Sequence, residues 1–189
     1  MKKEYIFVGI ILVVLAIMGI FLLNNNNNKE QSEISSTKDI KKMINEIYKD
    51  IDLPSLETIS VDVNNKDEVS LYTGLKTNTD VEELVVSVPL MNAQAYSLAV
   101  VKVKENADIE KMKKEMLDNI DMSRWICVTA EKLYITNNGN IIFLVMSDED
   151  WAKSVYEGFK KYVNNNIGKE LEKTADNTAI DLPPEMKVN

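Results

Sequence analysis

The chain opens with an unbroken run of apolar residues. Ile6 to Leu23 form a stretch of 18 positions without a charged residue. As a helix rising about 1.5 Å per residue, this run would span about 27 Å, close to the hydrocarbon thickness of a bilayer. A buried core helix is the alternative, but the run carries no polar stripe. We therefore predict a transmembrane helix at residues 6–23, with the membrane as its partner.

The residues on either side of this run predict its orientation in the membrane and whether it is cleaved from the mature protein. Lys2 and Lys3 precede it, and positive charge on that side places the amino terminus in the cytoplasm. A cleaved signal peptide needs small residues before the cut, whereas the run ends Ile20-Phe-Leu-Leu-Asn24 without one. We expect residues 1–23 to be an uncleaved signal anchor in the cell membrane, single-pass, with the C-terminal domain extracellular.

Polar residues and then a helical pattern follow the apolar run. Residues 24–37 are too polar to bury a core and are predicted to be a tether. From Lys38 the apolar residues recur at helical spacing, which predicts an amphipathic helix with Thr37 as its N-cap. Its apolar residues are Ile40, Met43, Ile44, Ile47 and Ile51.

The remainder repeats one pattern of two strands followed by a helix. Alternating apolar residues predict strands near residues 84–88, 95–104, 131–136 and 140–146. Asn138-Gly139 is a hairpin turn signal, and helical stripes follow each strand pair. Aligning Ile109 with Ala152 superposes the two halves without a gap. The predicted fold class is α+β: two ββα units form a four-stranded antiparallel sheet with both helices on one face, within a domain at residues 38–165.

The alternation also assigns the two faces of this sheet. One face carries Leu133, Ile135, Ile142, Leu144, Met146, Ala99, Val101 and Val103. The other carries Tyr96, Leu98, Val100, Lys102, Lys132, Tyr134, Ile141, Phe143 and Val145. Because the second face is also apolar, the helix after Thr37 is expected to cover it. The alternative is that part of it is an interaction face formed by Tyr96, Lys102, Lys132, Tyr134 and Phe143.

Composition narrows the classes of function. A net charge of -8 argues against nucleic acid as a partner, since like charges repel. The chain has no histidine and one cysteine, which removes the commonest general base and most metal sites based on thiolates. We expect no enzymatic activity, no catalytic residue, no metal and no cofactor. Cys127, in an apolar run, is predicted to be a buried small hydrophobe, and an exposed Cys127 could instead pair two chains.

Three segments resemble a known but uncharacterised bacterial family. They are Val88–Lys104, Asp108–Lys113 and Asn138–Ser147, within a likeness that covers about residues 66–163. The family consists of small domains of unknown function, held outside Gram-positive anaerobes by a lipid or a single span. Many of its members carry a lipoprotein cysteine where this chain has its apolar run. The resemblance implies an extracytoplasmic location and supplies no activity.

These patterns together predict a membrane-anchored, extracytoplasmic binding or interaction domain without catalysis. Its expected partner is an unknown envelope protein or a small ligand. The alternative is an oligomeric assembly component of a membrane-associated envelope complex. Residues 166–189 read as a flexible tail, in which Ile180 and Leu182 are the residues that could dock.

Overall fold

The computed structural model describes residues 34–91 and 93–175. The predicted anchor at residues 6–23 and most of the tether lie outside these residues. Within the described part, no helix combines the length and the apolar composition needed to cross a bilayer.

The described residues form four helices and six strands. The helices are α1 (Thr37–Tyr48), α2 (Lys66–Thr73), α3 (Ile109–Asn119) and α4 (Glu149–Tyr162). The strands are β1 (Leu56–Val61), β2 (Val81–Pro89), β3 (Ser97–Val103), β4 (Lys132–Asn138), β5 (Ile141–Ser147) and β6 (Leu171–Thr174). All six strands join one antiparallel sheet in the order β1-β2-β3-β5-β4-β6. The α+β class is confirmed, and the expectation of four strands is wrong.

Short polar side chains fix where the helices begin. Ser36, one residue before the predicted cap, accepts a hydrogen bond from the Asp39 amide at 3.3 Å. Asp148 does the same for α4, accepting from the Trp151 amide at 2.8 Å. These caps satisfy amides that have no partner within the first helical turn.

Each face of the sheet is covered by its own pair of helices. One apolar cluster joins Val101 and Leu144 of the sheet to residues of α2 and α3, including Met116. The other joins Val100 and Phe143 to residues of α1 and α4. The face assignment and the covering by α1 are confirmed, but the expectation that α3 and α4 share one face is wrong. Both faces are apolar, so one layer of helices cannot bury them.

The domain extends beyond residue 165, where the sequence predicted a tail. The Gly168 amide donates to Asn137 O at 2.7 Å, and β6 then pairs with β4. Lys113 is fully buried, and its Nζ donates to Asn137 Oδ1 and Lys169 O, each at 2.7 Å. Glu110 Oε1 lies 2.6 Å from the same Nζ and balances its charge. Residues 166–175 therefore belong to the folded domain: Leu171–Thr174 form a strand of the sheet, and Gly168 and Lys169 are hydrogen-bonded to Asn137 and Lys113.

Replacing Ile44 by alanine tests the packing of α1 on the sheet. The side chain is fully buried, so the variant is expected to lower the free energy of unfolding by about 2–5 kcal/mol through the cavity it leaves. Lys42 on the same helix is exposed, and Lys42→Ala should change it by no more than about 0.5 kcal/mol. Urea unfolding followed by circular dichroism measures both. Equal effects would contradict this packing.

Candidate functional site

The predicted interaction face does not form one exposed surface. Tyr96 and Phe143 are fully buried. Phe143 stacks on Phe159 of α4 with ring centroids 4.1 Å apart, and the Tyr96 hydroxyl lies 2.7 Å from that of Tyr48 in α1. The assignment of Tyr96 and Phe143 to an interaction face is therefore wrong, because two helices cover them.

Lys102 remains partly exposed but is engaged at the start of α1. Its Nζ donates to Ser35 O at 3.1 Å and lies 3.2 Å from Glu82 Oε2. Next to it, the Thr37 hydroxyl donates to Glu83 Oε2. These contacts fix the point at which the chain enters the domain, so Lys102 has a structural role here.

Lys132 and Tyr134 lie together near β6, in a cluster of rings and charges. The ring of Tyr134 stacks on Tyr156 at 4.7 Å, and Lys132 Nζ lies 5.4 Å from its centroid. Lys132 Nζ also lies 3.3 Å from Glu172 Oε2, and the Tyr156 hydroxyl donates to Glu170 Oε2 at 2.7 Å. Burial raises the pKa of Tyr134 and, together with Glu170, that of Tyr156. This cluster attaches β6 to the rest of the domain.

A different surface carries exposed apolar side chains. Among the described residues, four large hydrophobic side chains have exposed fractions between 53% and 67%: Leu71, Leu90, Met91 and Ile126. Trp125, which adjoins Ile126 in the chain, is partly buried against the core. We call these five residues the apolar end. Exposed hydrophobic residues gathered in one region are typical of interaction sites.

The strand registers place the segments that carry these residues at one end of the sheet. Ser97 pairs with Met146, and Lys132 pairs with both Ser147 and Thr174. The connection between β2 and β3, which holds Leu90 and Met91, therefore lies at the same end as the start of β4. Residues 121–131 lead directly into β4 there.

Arg124 joins residues 121–131 to the end of α2. Its Nη1 donates to Leu71 O at 2.6 Å, and its guanidinium lies 5.3 Å from the Tyr72 ring centroid and 5.0 Å from that of Trp125. Such cation–π contacts favour a fixed arrangement of the three side chains. Burial lowers the pKa of Arg124, while Tyr72 and Asp121 act in the opposite direction.

A close contact between the C-terminal ends of α2 and α3 also fixes the position of α2. Gly74 ends α2 in the left-handed region with φ +76°, and a Cβ built there would lie 2.7 Å from the Ile120 amide nitrogen. Only glycine fits this contact without strain. The C-terminal ends of α2 and α3 can therefore approach each other closely at Gly74 and Ile120.

Cys127 differs most from the sequence prediction. It is exposed, and its φ of 62° lies in the left-handed region. The apolar run Trp125-Ile-Cys-Val128 suggested a buried position, but the backbone turns at Cys127 and leaves Ile126 exposed. No periodic signal in the sequence distinguishes such a turn from a short buried strand.

Two further features of the described residues bear on ligands. A cavity of about 120 Å³ next to α3 is lined in part by Asp80, Asp108 and Glu115, and is smaller than the roughly 300–1,000 Å³ of most small-molecule sites. Within the described ranges, no group of three or more Asp, Glu or Cys residues is placed to hold a metal ion.

Comparison with protein-family models, with curated proteins and with solved structures gave no match.

Tyr48→Phe tests the buried tyrosine pair by its pH dependence. Burial raises the pKa of Tyr48 from 10.0 to about 12 and that of Tyr96 well above 10.0. The unfolded chain therefore loses these protons first, so stability is fully present below about pH 10 and falls as pH rises toward 12. Each protected phenol contributes a slope of about 1.4 kcal/mol per pH unit.

The Tyr48→Phe variant should lose stability less steeply in this window than the wild type. Urea unfolding at several pH values between about 9 and 12 gives both slopes. Identical slopes would contradict the burial of this hydroxyl.

Gly74→Ala and Gly139→Ala form a matched pair that tests the close contact between Gly74 and Ile120. Both glycines have positive φ, but a Cβ at Gly139 would meet nothing within 4 Å. Each substitution incurs about 1–2 kcal/mol of backbone strain. Gly74→Ala should cost at least about 1 kcal/mol more, since it also displaces Ile120. Thermal unfolding measures the difference, and equal melting temperatures would refute the contact.

Proposed function

We propose that this protein is a membrane-anchored, extracytoplasmic interaction module that binds a partner protein through its apolar end and performs no catalysis. The main observation in support of this proposal is the position of the exposed hydrophobic side chains. Leu71, Leu90, Met91 and Ile126 belong to three separate segments of the chain. The strand registers place Leu90, Met91 and residues 121–131 at one end of the sheet, and Arg124 binds the Leu71 carbonyl there. Neither apolar cluster includes them.

The energetics of this surface suit binding of a protein. Exposed aliphatic side chains next to a partly buried Trp and an Arg form the composition found at the centre of many protein interfaces. Arg124 holds Trp125 and the end of α2 in one arrangement. A preorganised surface loses little conformational entropy when a partner binds.

The position of the amino-terminal connection is compatible with this role. Ser35 O accepts from Lys102, near the end of β3, and β3 ends opposite the start of β2. The chain therefore enters the domain at the end of the sheet away from the apolar end. The surface proposed for binding therefore lies at the opposite end of the sheet from Ser35.

The strongly perturbed tyrosines support binding over catalysis. Tyr48 and Tyr96 have raised pKa values because their hydroxyls are buried between α1 and the sheet. They lie within the second apolar cluster, away from the exposed surface. A reaction centre needs its titrating groups within reach of a substrate.

A photocrosslinking experiment tests the proposal. In the full chain in its own membrane, p-benzoylphenylalanine replaces Ile126, and in a matched control it replaces the exposed Lys42. We expect an adduct with another protein from position 126 and none from position 42. Adding Leu71→Ser should lower the yield about fivefold, as for loss of a contact worth roughly 1 kcal/mol. Leu71 is exposed, so the variant should keep its melting temperature.

The mass of the adduct decides between the two functional hypotheses. An adduct with a different protein supports the interaction module. An adduct of twice the chain mass supports the oligomeric assembly component instead. Equal yields from positions 126 and 42 would refute the apolar end as a binding surface.

A further inference from the structure

We propose that residues 176–189, here called the terminal segment, bind back onto the apolar end of the same chain when no partner occupies it. This inference rests on the proposed function, which identifies the apolar end as the binding surface. It goes further by naming what occupies that surface when no partner is bound. The terminal segment lies outside the described residues and follows directly on Ala175, the last of them.

The terminal segment leaves the domain beside the apolar end. β6 runs toward the end of the sheet where Thr174 pairs with Lys132. The Ala175 amide then donates to Glu131 O at 2.9 Å. The last described residue is therefore hydrogen-bonded to residues 121–131, which carry Trp125 and Ile126.

The distance to be covered is short. The Ala130 amide donates to Met122 O at 2.8 Å, which closes a loop with Ile126 midway between these two residues. Ile180 lies five positions after Ala175 in the sequence, and an extended chain of that length reaches up to about 17 Å. Ile126 is likewise five residues from Glu131, so the terminal segment can reach the tip of this loop.

The terminal segment has the apolar residues that such a surface requires. Ile180 and Leu182 flank Asp181, and Met186 and Val188 flank Lys187. In an extended chain, residues two apart lie on one side. Pro183 and Pro184 between the two pairs favour an extended conformation over a helix. The segment can thus place two pairs of apolar side chains on one surface.

Charge complementarity favours the same arrangement. The terminal segment contains Asp176, Asp181 and Glu185 against one basic residue, Lys187. Arg124 lies against the rings of Tyr72 and Trp125 and so places a positive charge next to Trp125 of the apolar end.

A bound terminal segment would make partner binding competitive. A partner would have to displace it. The apparent affinity of the partner would then be its intrinsic affinity multiplied by the fraction of molecules in which the surface is free. The same contact would shield hydrophobic side chains from non-specific association.

The single cysteine gives a direct readout of this contact. Cys127 is exposed and adjoins Ile126, so a bound terminal segment should slow its reaction with the thiol reagent dithionitrobenzoate. In the full chain in lipid nanodiscs, Ile180→Ser combined with Leu182→Ser should raise the rate about tenfold, as expected when two buried aliphatic side chains are removed. The control, Thr178→Ser with Asn189→Ser, should react at the wild-type rate.

Peptide addition provides an independent measurement. A chain ending at Ala175 should react as fast as the Ile180→Ser, Leu182→Ser variant. A synthetic peptide of residues 176–189 should slow it again, whereas a scrambled peptide should not. Equal rates for wild type, the double variant and the shortened chain would overturn the proposal. Protection that disappears on dilution would show that a second copy is the occupant, and would also overturn it.

The two proposals can fail separately. If Cys127 is unprotected but position 126 still crosslinks to another protein, the terminal segment is not the occupant and the interaction surface stands. If Cys127 protection depends on Ile180 and Leu182 but position 126 gives no adduct, the terminal segment binds and the partner proposal falls.

Discussion

The structure depends on a sheet whose two faces are both apolar. Val100 and Phe143 point to one side and Val101 and Leu144 to the other, so each side must be buried against helices. This requirement explains why α1 returns to the sheet and why α3 and α4 lie on opposite faces. It also explains why Tyr96 and Phe143, which resemble ligand-binding aromatics in the sequence, are core residues.

Because both faces are covered, the sheet itself leaves only its edges and ends for recognition. The connections at one end carry hydrophobic side chains that neither cluster includes. Arg124 and the close approach at Gly74 hold part of this end in a defined arrangement. A covered sheet thus serves as a rigid support, and the segments between its elements carry the interaction chemistry.

Buried polar contacts determine which segments belong to the domain. Lys113 binds Asn137 and the Lys169 carbonyl and so connects α3 to the segment before β6. Tyr48 and Tyr96 connect α1 to the sheet through their hydroxyls. Such groups are costly to bury alone, so their pairing favours one arrangement of distant segments. A backbone hydrogen bond from the Ala175 amide to Glu131 O then holds the end of the described chain next to residues 121–131.

The sequence by itself determined the α+β class, the main helices and the two faces of the central strands, since periodicity reports which side of an element is buried. The anchor at residues 6–23 stays a prediction. Tertiary structure alone decided which face α4 covers, that β6 joins β4, and that Cys127 is exposed in a turn. It also gathered Leu71, Leu90 and Ile126 at one end. These features depend on contacts between residues far apart in the chain, and the local pattern of polar and apolar residues carries no record of them.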